Sequence, residues 1–319
     1  MTFREAIRKA ISDEMTADKN VVLFGEDIGV YGGCFKVTEG LWKDHPDQVI
    51  DTPVSEEGFT GMAVGAAMMG LRPIVEIMYA DFFTLVFDPI VNHAAKTHFM
   101  SGGQFCCPIT VRLPEGSGTG HGAQHTQSPE GLFLNGTGLK LVAPSNPSDA
   151  YHLLRASIRD NNPVLFFEHK LLYPLDGEIS PTPVPIGKAR VIGSGQDLTI
   201  ISYSHAVITA LHVSELLHER GIDSTVIDLR TLNPLDTPTI LHQVRKTGRA
   251  VLLQDPNGIG GINAQICAAI CQDTATFRSL KSPILQFAGK NTPIPFSKDL
   301  ERLTIPQPHD IVVEIEKLF

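Results

Sequence analysis

A carboxylate at the start of a glycine-rich helix is the residue best placed to do chemistry in this chain. Glu56 follows the short apolar strand Val49-Ile50. Pro53 and Ser55 lie between this strand and Glu56, and they predict that a helix starts there. Such a carboxylate could simply complement the helix dipole, an effect of about 0.3–1 kcal/mol. If it is buried, however, it needs a hydrogen-bond partner or an altered proton affinity, as catalytic acids often have.

The composition of the helix itself favours a functional role for Glu56. Gly58, Gly61 and Gly65 fall on one helical face, and each glycine costs about 1 kcal/mol relative to alanine in a helix interior. A helix that keeps such glycines usually does so because another backbone or a ligand approaches closely. We therefore expect this helix to be buried on all sides. Glu57 points about 100° away from Glu56 and fits the dipole role.

A second candidate for chemistry lies in a loop that contains glycine at every second position from 116 to 122. His121 and His125 both lie in or next to this loop, where the backbone can approach a ligand closely. The two histidines suggest a metal pair, but no third ligand follows at a sensible spacing. Histidine titrates near neutral pH, so His125 suits proton transfer.

The elements that must position these residues follow an alternating pattern. Continuous apolar runs predict buried parallel strands at 21–24, 74–77, 109–113, 139–142 and 164–167, with helices at 2–18, 57–70, 82–99 and 147–160 between them. A proline-rich stretch predicts a linker at 176–190. We therefore predict an α/β fold of two doubly covered, mainly parallel sheets, with domains at 1–175 and 191–319.

The second alternating series contains the glycine cluster Gly258-Ile259-Gly260-Gly261, which could suggest a dinucleotide-binding turn. The third glycine of that fingerprint would fall at Asn263, and the cluster comes late in its domain. The sequence therefore argues against a nicotinamide-dependent dehydrogenase.

Size and composition exclude several other classes of protein. The chain has 319 residues, 42% of them hydrophobic and 19% charged, with a net charge of −9; this favours a globular protein and argues against nucleic-acid binding. No apolar run is long enough to span a bilayer, and the N-terminal segment has no signal-like core. The five cysteines show no metal or disulfide pattern, so we expect free thiols and a cytoplasmic protein.

Several motifs, in order along nearly the whole chain, carry a family resemblance. The chain resembles the beta subunit of the thiamine-diphosphate-dependent decarboxylating component of 2-oxoacid dehydrogenase complexes, whose branches include pyruvate, branched-chain and acetoin enzymes. The motifs are Gly25-Glu26-Asp27, Tyr31-Gly32-Gly33, residues 51–61, Glu76-Ile77-Met78-Tyr79-Ala80-Asp81-Phe82, Ser101-Gly102-Gly103, residues 120–128, Asp160-Asn161-Asn162-Pro163 and Asp228-Leu229-Arg230-Thr231.

The resemblance implies roles for individual residues. Glu56 matches the acid that hydrogen-bonds a nitrogen of the cofactor aminopyrimidine, and Phe82 lies where the family places an aromatic ring against it. Val54 and Met78 match apolar liners near the ring. His125 matches an active-site histidine that helps to position the substrate carboxylate and the incoming lipoyl group. Residues 1–175 then form a transketolase-like pyrimidine-binding domain and residues 191–319 a transketolase C-terminal-like domain.

Half of the implied active site is missing from this sequence. The metal and diphosphate signature of these enzymes begins Gly-Asp-Gly and ends with asparagines some 25–30 residues later, and nothing here matches it. The resemblance therefore implies an alpha subunit that supplies Mg²⁺ and diphosphate binding, in a two-alpha, two-beta heterotetramer. The acyl acceptor would be the lipoyl acyltransferase core of the complex.

The resemblance leaves two points open. Ser157, Asp160 and Asn162 match a structural monovalent-cation (K⁺) site of some members, but a helix end before Pro163 explains them equally well. Pyruvate is the expected 2-oxoacid, with branched-chain and acetoin-type substrates as alternatives. A non-catalytic assembly paralogue and a self-sufficient transketolase-like enzyme are disfavoured, the former because Glu56, Phe82 and His125 are present and the latter by chain length and the missing metal motif.

Overall fold

The computed structural model describes the whole chain, Met1–Phe319, as two α/β units. The first unit is built on parallel strands whose residues are almost all buried, as strands covered on both faces must be. These strands are β1 (Val21–Gly25), β2 (Val49–Asp51), β3 (Arg72–Glu76), β4 (Thr110–Glu115), β5 (Lys140–Val142) and β6 (Val164–His169).

Helices cover both faces of this sheet. They are α1 (Phe3–Ala17), α2 (Leu41–Asp44), α3 (Glu56–Met68), α4 (Phe83–Asp88), α5 (Ala95–Met100), α6 (Glu130–Phe133) and α7 (Pro147–Arg159). On one face α1 packs against α7, and the side chains of Phe3, Ile7 and Leu153 join the alternate residues of the strands in one core. A capping box between Thr2 and Glu5 starts α1, and Asn146 caps α7.

The second unit repeats the layered arrangement with a smaller sheet. The strands of this sheet are β7 (Arg190–Ile192), β8 (Leu198–Ser202), β9 (Ser224–Asp228), β11 (Ala250–Asn257) and β12 (Leu285–Gly289), and the chain of this unit also contains the short strand β10 (Thr231–Asn233). Its helices are α8 (Ala206–His218), α9 (Thr237–Thr247), α10 (Ile262–Gln272), α11 (Thr274–Ser279), α12 (Lys298–Arg302) and α13 (Pro308–Glu316).

The two units are joined by one strand of the second unit that pairs with the first sheet, and by a shared apolar core. The short strand β10 pairs antiparallel with β5, so the first sheet has the order β10-β5-β6-β4-β3-β1-β2 and the second the order β12-β11-β8-β9-β7. Next to β10, Arg230 forms an ion pair of 2.7 Å with Asp149 of α7. The largest apolar cluster takes side chains from both units, so the two units form one packed body.

The predicted fold class, two mainly parallel sheets with helices on both faces, is confirmed. Most predicted strands and helices lie within a few residues of the observed ones. The predicted helix at 82–99 is interrupted by a π-helical segment at Pro89–Ala94. The limits of the two domains and of the linker stay a prediction.

Two expectations for α3 were wrong. The Ser55 hydroxyl makes no capping hydrogen bond, although Ser55 occupies the N-cap position of a helix that begins at Glu56. Nor is the helix buried on all sides, since Gly58, Gly61 and Gly65 form an exposed stripe along it. A Cβ atom added at Gly61 or Gly65 would meet nothing within 4 Å.

Candidate active site

The candidate site lies at the carboxyl edge of the larger sheet. Strands β2, β1, β3 and β4 are adjacent and parallel, so the segments that follow them meet at the same edge. These segments carry Glu56 after β2, Glu26 after β1, Phe82 after β3 and His125 after β4. The fold therefore brings the main predicted site residues to one side of the sheet.

Glu56 is a buried acid with no partner of its own. It is the first residue of α3, its relative exposure is 7%, and its carboxyl group makes no hydrogen bond or ion pair within the chain. Val54, two residues earlier, is 82% exposed. A buried carboxyl group without a partner is costly unless something else completes it. This position therefore fits an acid that hydrogen-bonds a ligand at the mouth of the helix.

A second buried acid, Glu26, lies beside Glu56, and the sequence analysis did not assign it a role. Burial, followed by the charges of Glu56 and Asp27, raises the pKa of the Glu26 carboxyl to about 7. Its Oε1 atom is buried without a hydrogen-bond partner. The only signal in the sequence was its place in the Gly25-Glu26-Asp27 motif. Glu26 can therefore hold a proton near neutral pH in this corner of the site.

Aromatic rings surround His125. The imidazole ring lies edge-on to Tyr79, with centroids 4.7 Å apart, and edge-on to Phe82 at 5.8 Å. Phe82 and His125 are half-buried, which leaves each of them a free surface. Met78, also half-buried, lies two residues after the end of β3 on the same edge. The structure thus brings Phe82 and His125 together, as a shared active site requires.

Buried charges hold the backbone around His125 in place. The Asp81 carboxylate accepts hydrogen bonds from the backbone N–H groups of Thr126 (3.1 Å) and Gln127 (3.0 Å). The Lys170 ammonium donates to the carbonyl oxygen of His125 at 2.8 Å. Burial lowers the pKa of Lys170 to about 8, opposed by neighbouring carboxylates such as Asp81. His125 is therefore fixed through its main chain while its side chain faces the site.

One cluster of metal-ligand types, formed by His169, His205 and Asp255, does not fit a metal ion. His169, His205 and Asp255 bring three ligand atoms within 4.8 Å of one another, but His169 Nδ1 accepts a hydrogen bond from the N–H of Leu171 at 3.2 Å. The proton of that neutral ring therefore sits on Nε2, the atom a metal would need, whereas metal-bound histidines carry it on the other nitrogen. His205 instead pairs with Asp255 at 2.9 Å.

The other histidine of the glycine-rich loop is no better placed to hold a metal. His121 lies exposed, with Nδ1 3.2 Å from the Thr119 hydroxyl, and its ring is edge-on to Tyr79 at 6.0 Å. Partial desolvation and the charge of Lys170 lower the pKa of His121. His121 and His125 therefore share the aromatic surface of Tyr79 rather than a common ion.

The three residues of the predicted cation site lie together, at the opposite edge of the sheet from Glu56. The Ser157 carbonyl oxygen accepts a hydrogen bond from the N–H of Asp160. The Asp160 carboxylate accepts from Asn162 at 2.9 Å and pairs with the Lys140 ammonium. Burial opposes ionisation of Asp160, but these hydrogen bonds prevail and lower its pKa. A lysine already neutralises the carboxylate here, and the monovalent cation stays a prediction.

Two further expectations concern the rest of the chain. All five cysteines are free, as the sequence predicted. None of the helices combines the length and the hydropathy needed to cross a membrane.

Comparisons with known proteins agree with this architecture. The chain matches two family models, "Transketolase, pyrimidine binding domain" over residues 1–176 and "Transketolase, C-terminal domain" over residues 187–311. Among solved structures it is similar to a split-gene transketolase described as an inactive beta4 tetramer, with a TM-score of 0.82 at 18% identity over 100% of this chain and 98% of that one. This likeness concerns the fold alone.

Curated relatives cover the whole chain. It is 42% identical to the pyruvate dehydrogenase E1 component subunit beta of Rickettsia felis, over 100% of this chain and 98% of the relative. It is 43% identical to the mitochondrial subunit beta-2 of Oryza sativa subsp. japonica, over 98% of this chain and 84% of the relative. The mitochondrial subunit beta of Drosophila melanogaster is 42% identical, with coverage of 98% and 87%.

Proposed function

This chain belongs to the family of pyruvate dehydrogenase E1 component beta subunits, and we propose that it supplies the aminopyrimidine half of a shared active site. Membership makes it a component of a 2-oxoacid dehydrogenase, an oxidoreductase of the thiamine-diphosphate-dependent class. The observation that carries the proposal is Glu56 at the start of α3, a residue only 7% exposed whose carboxyl group has no hydrogen-bond partner in this chain.

The residues of this edge fit the needs of that cofactor. When bound, thiamine diphosphate supplies the electron sink for decarboxylation of a 2-oxoacid. Glu56 would hold a proton against a ring nitrogen of the aminopyrimidine, in a water-poor pocket where such a hydrogen bond is strong. Phe82 would pack against the ring, and Val54 and Met78 would line it. His125 would orient the substrate carboxylate and the incoming lipoyl group.

The rest of the site would come from an alpha subunit. No cluster in this chain offers the oxygen ligands that Mg²⁺ and a diphosphate require, since the only group of three ligand-type residues has the wrong tautomer for a metal. The exposed glycine stripe of α3 and the exposed Val54 next to Glu56 support a partner that packs against this corner. We infer a two-alpha, two-beta heterotetramer with Mg²⁺ bound by the alpha chain.

Pyruvate is the proposed substrate, because the relatives above are named pyruvate dehydrogenase subunits. The acceptor would be the lipoyl group of an acyltransferase core, and we place the complex in the cytoplasm. Branched-chain and acetoin-type substrates are the alternatives, since one methylene in a pocket changes discrimination by only about 1–3 kcal/mol. A non-catalytic assembly paralogue is the alternative from another class, and the presence of Glu56, Phe82 and His125 argues against it.

The test is to measure 2-oxoacid-dependent dye reduction by this chain alone and after co-expression with an alpha chain that carries Gly-Asp-Gly and the downstream asparagines. We expect activity only from the co-purified pair, with pyruvate preferred over branched-chain 2-oxoacids and acetoin. Robust turnover by this chain alone would refute the half-site proposal. An inactive pair that binds no thiamine diphosphate would favour the assembly paralogue.

A further inference from the structure

The backbone of the glycine-rich loop before His125 is folded into an anion-binding shape. Gly116, Gly118, Gly120 and Gly122 all have positive φ angles, between 73° and 100°. Alternating residues in this region turn successive backbone N–H groups toward one side, as in the nests that bind anions. A side chain at these positions would strain the backbone, so the glycines are needed for this shape.

The anion that fills this nest is a side chain from the second unit. The Glu301 carboxylate of α12 accepts a hydrogen bond from the N–H of Gly118 at 2.7 Å through one oxygen and from the N–H of Gly120 at 2.9 Å through the other. Glu301 is only 1% exposed and belongs to no ion pair. Charge-assisted hydrogen bonds shielded from water are among the stronger contacts available to a loop.

The surrounding packing keeps the loop and α12 together. A Cβ atom at Gly120 would lie 3.4 Å from the Lys298 side chain and 3.5 Å from the carbonyl oxygen of Phe296, so the loop backbone rests directly on the segment that leads into α12. The positive charge of the Lys170 ammonium, which holds the carbonyl of His125, lies within electrostatic reach of Glu301. The loop is thus held by Glu301 near its start and by Lys170 at His125.

We propose that Glu301 is a positioning residue through which the second unit sets the place of His125 in the active site. The inference rests on the proposed function, because it assigns Glu301 to the same reaction. Glu301 does not touch the reacting groups; it fixes the backbone from which His125 projects. A role of this kind predicts a loss in the step that uses His125 and no loss in cofactor binding.

The experiment compares Glu301→Gln with Asp299→Asn in the complex with the alpha chain. Glu301→Gln keeps the side-chain volume but replaces one accepting oxygen with an NH₂ group. Asp299, exposed on the same short helix and without a hydrogen bond or ion pair, is the matched control. The readouts are lipoyl acylation, dye reduction, the affinity for thiamine diphosphate, and hydrogen exchange of the amides at 116–125.

We expect Glu301→Gln to slow lipoyl acylation about tenfold, because displacement of a catalytic group by a fraction of an ångström has effects of this size. Dye reduction should fall by no more than lipoyl acylation does, because His125 also orients the substrate carboxylate. Cofactor affinity should change less than about twofold, and the Gly118 and Gly120 amides should exchange faster. In a His125→Ala background, Glu301→Gln should cause no further loss, because the two residues act as one unit. Asp299→Asn should behave as wild type.

Three results would overturn the inference: unchanged exchange at Gly118 and Gly120, an equal loss of acylation and cofactor affinity, or a full additional loss in the His125→Ala background. An inactive wild-type complex would instead count against the proposed function. Hydrogen exchange needs no activity, so it would still decide whether Glu301 holds the loop.

Discussion

The carboxyl groups of Glu26 and Glu56 are electrostatic neighbours, and the charge of Glu56 is one cause, after burial, of a Glu26 pKa of about 7. Two acids at the ends of adjacent parallel strands thus share one water-poor corner. Glu26 can therefore keep its proton near neutral pH, where an exposed glutamate would release it.

Glu26→Gln should change how stability depends on pH. Between about pH 4.5 and 7, the folded chain keeps a proton on Glu26 that the unfolded chain releases, so wild-type stability falls as the pH rises through this window. The variant has no such titration. At pH 8 it should be more stable than wild type by about 1–3 kcal/mol, and at pH 4.5 the gain should vanish. Thermal unfolding at several pH values measures this, with Glu57→Gln as the exposed control; a constant difference would contradict it.

Gly65→Leu should block assembly without harming the fold. The position faces open space in this chain, and leucine is a good helix former, so the isolated variant should be as stable as wild type. Its side chain would fill the space into which we expect a partner backbone to pack. Size-exclusion chromatography of the co-expressed pair should show loss of the heterotetramer. Normal assembly of Gly65→Leu would mean that the glycine stripe is not part of the interface.

Phe82→Leu should weaken cofactor binding by a modest factor. Packing of an aromatic ring on another ring contributes about 0.5–1.5 kcal/mol beyond burial, which corresponds to about 2- to 10-fold in affinity. Phe83→Leu is the matched control, because Phe83 packs against Phe133 in the core, with ring centroids 6.2 Å apart. That control should lower the melting temperature and leave affinity unchanged. Titration of thiamine diphosphate into the complex distinguishes the two.

His125→Ala should separate acyl transfer from cofactor binding. Removal of a proton-transfer group costs about 100-fold or more in the step that uses it, so lipoyl acylation should fall by at least that factor. The affinity for thiamine diphosphate should stay within about threefold, since His125 contacts Phe82 only at its edge. His121→Ala, in the exposed part of the same loop, should retain activity. A collapse of cofactor affinity in His125→Ala would refute this assignment.

Much of this architecture could be predicted from local sequence because its strands are buried on both faces. Such strands appear as continuous apolar runs, as at Val21–Gly25 and Val164–His169. Glu56 could be found because a carboxylate beside a run of helical glycines is unusual. The short strand β10 could not be predicted, because its three residues show no hydrophobic pattern of their own and form a strand only by pairing with β5.

Local sequence patterns also could not predict hydrogen-bond and charge partners that lie far apart in the sequence. Glu301 lies 183 residues from Gly118, and nothing in α12 distinguishes it from an ordinary surface glutamate. Similarly, the role of Glu26 depends on Glu56, which a parallel pairing of β1 with β2 brings beside it. The exposed stripe of α3 was misjudged because small residues predict close packing without saying whether the neighbour belongs to the same chain.

The most direct measurement is 2-oxoacid-dependent dye reduction by the Glu56→Gln variant, co-purified with its alpha chain. Because an amide at this position could not share a proton with the aminopyrimidine, activity should fall by at least about 100-fold while the heterotetramer still forms. Glu57→Gln, which alters the exposed neighbour, should stay within about twofold of wild type. Wild-type rates in an assembled Glu56→Gln complex would contradict the proposal that Glu56 is the acid that hydrogen-bonds the aminopyrimidine.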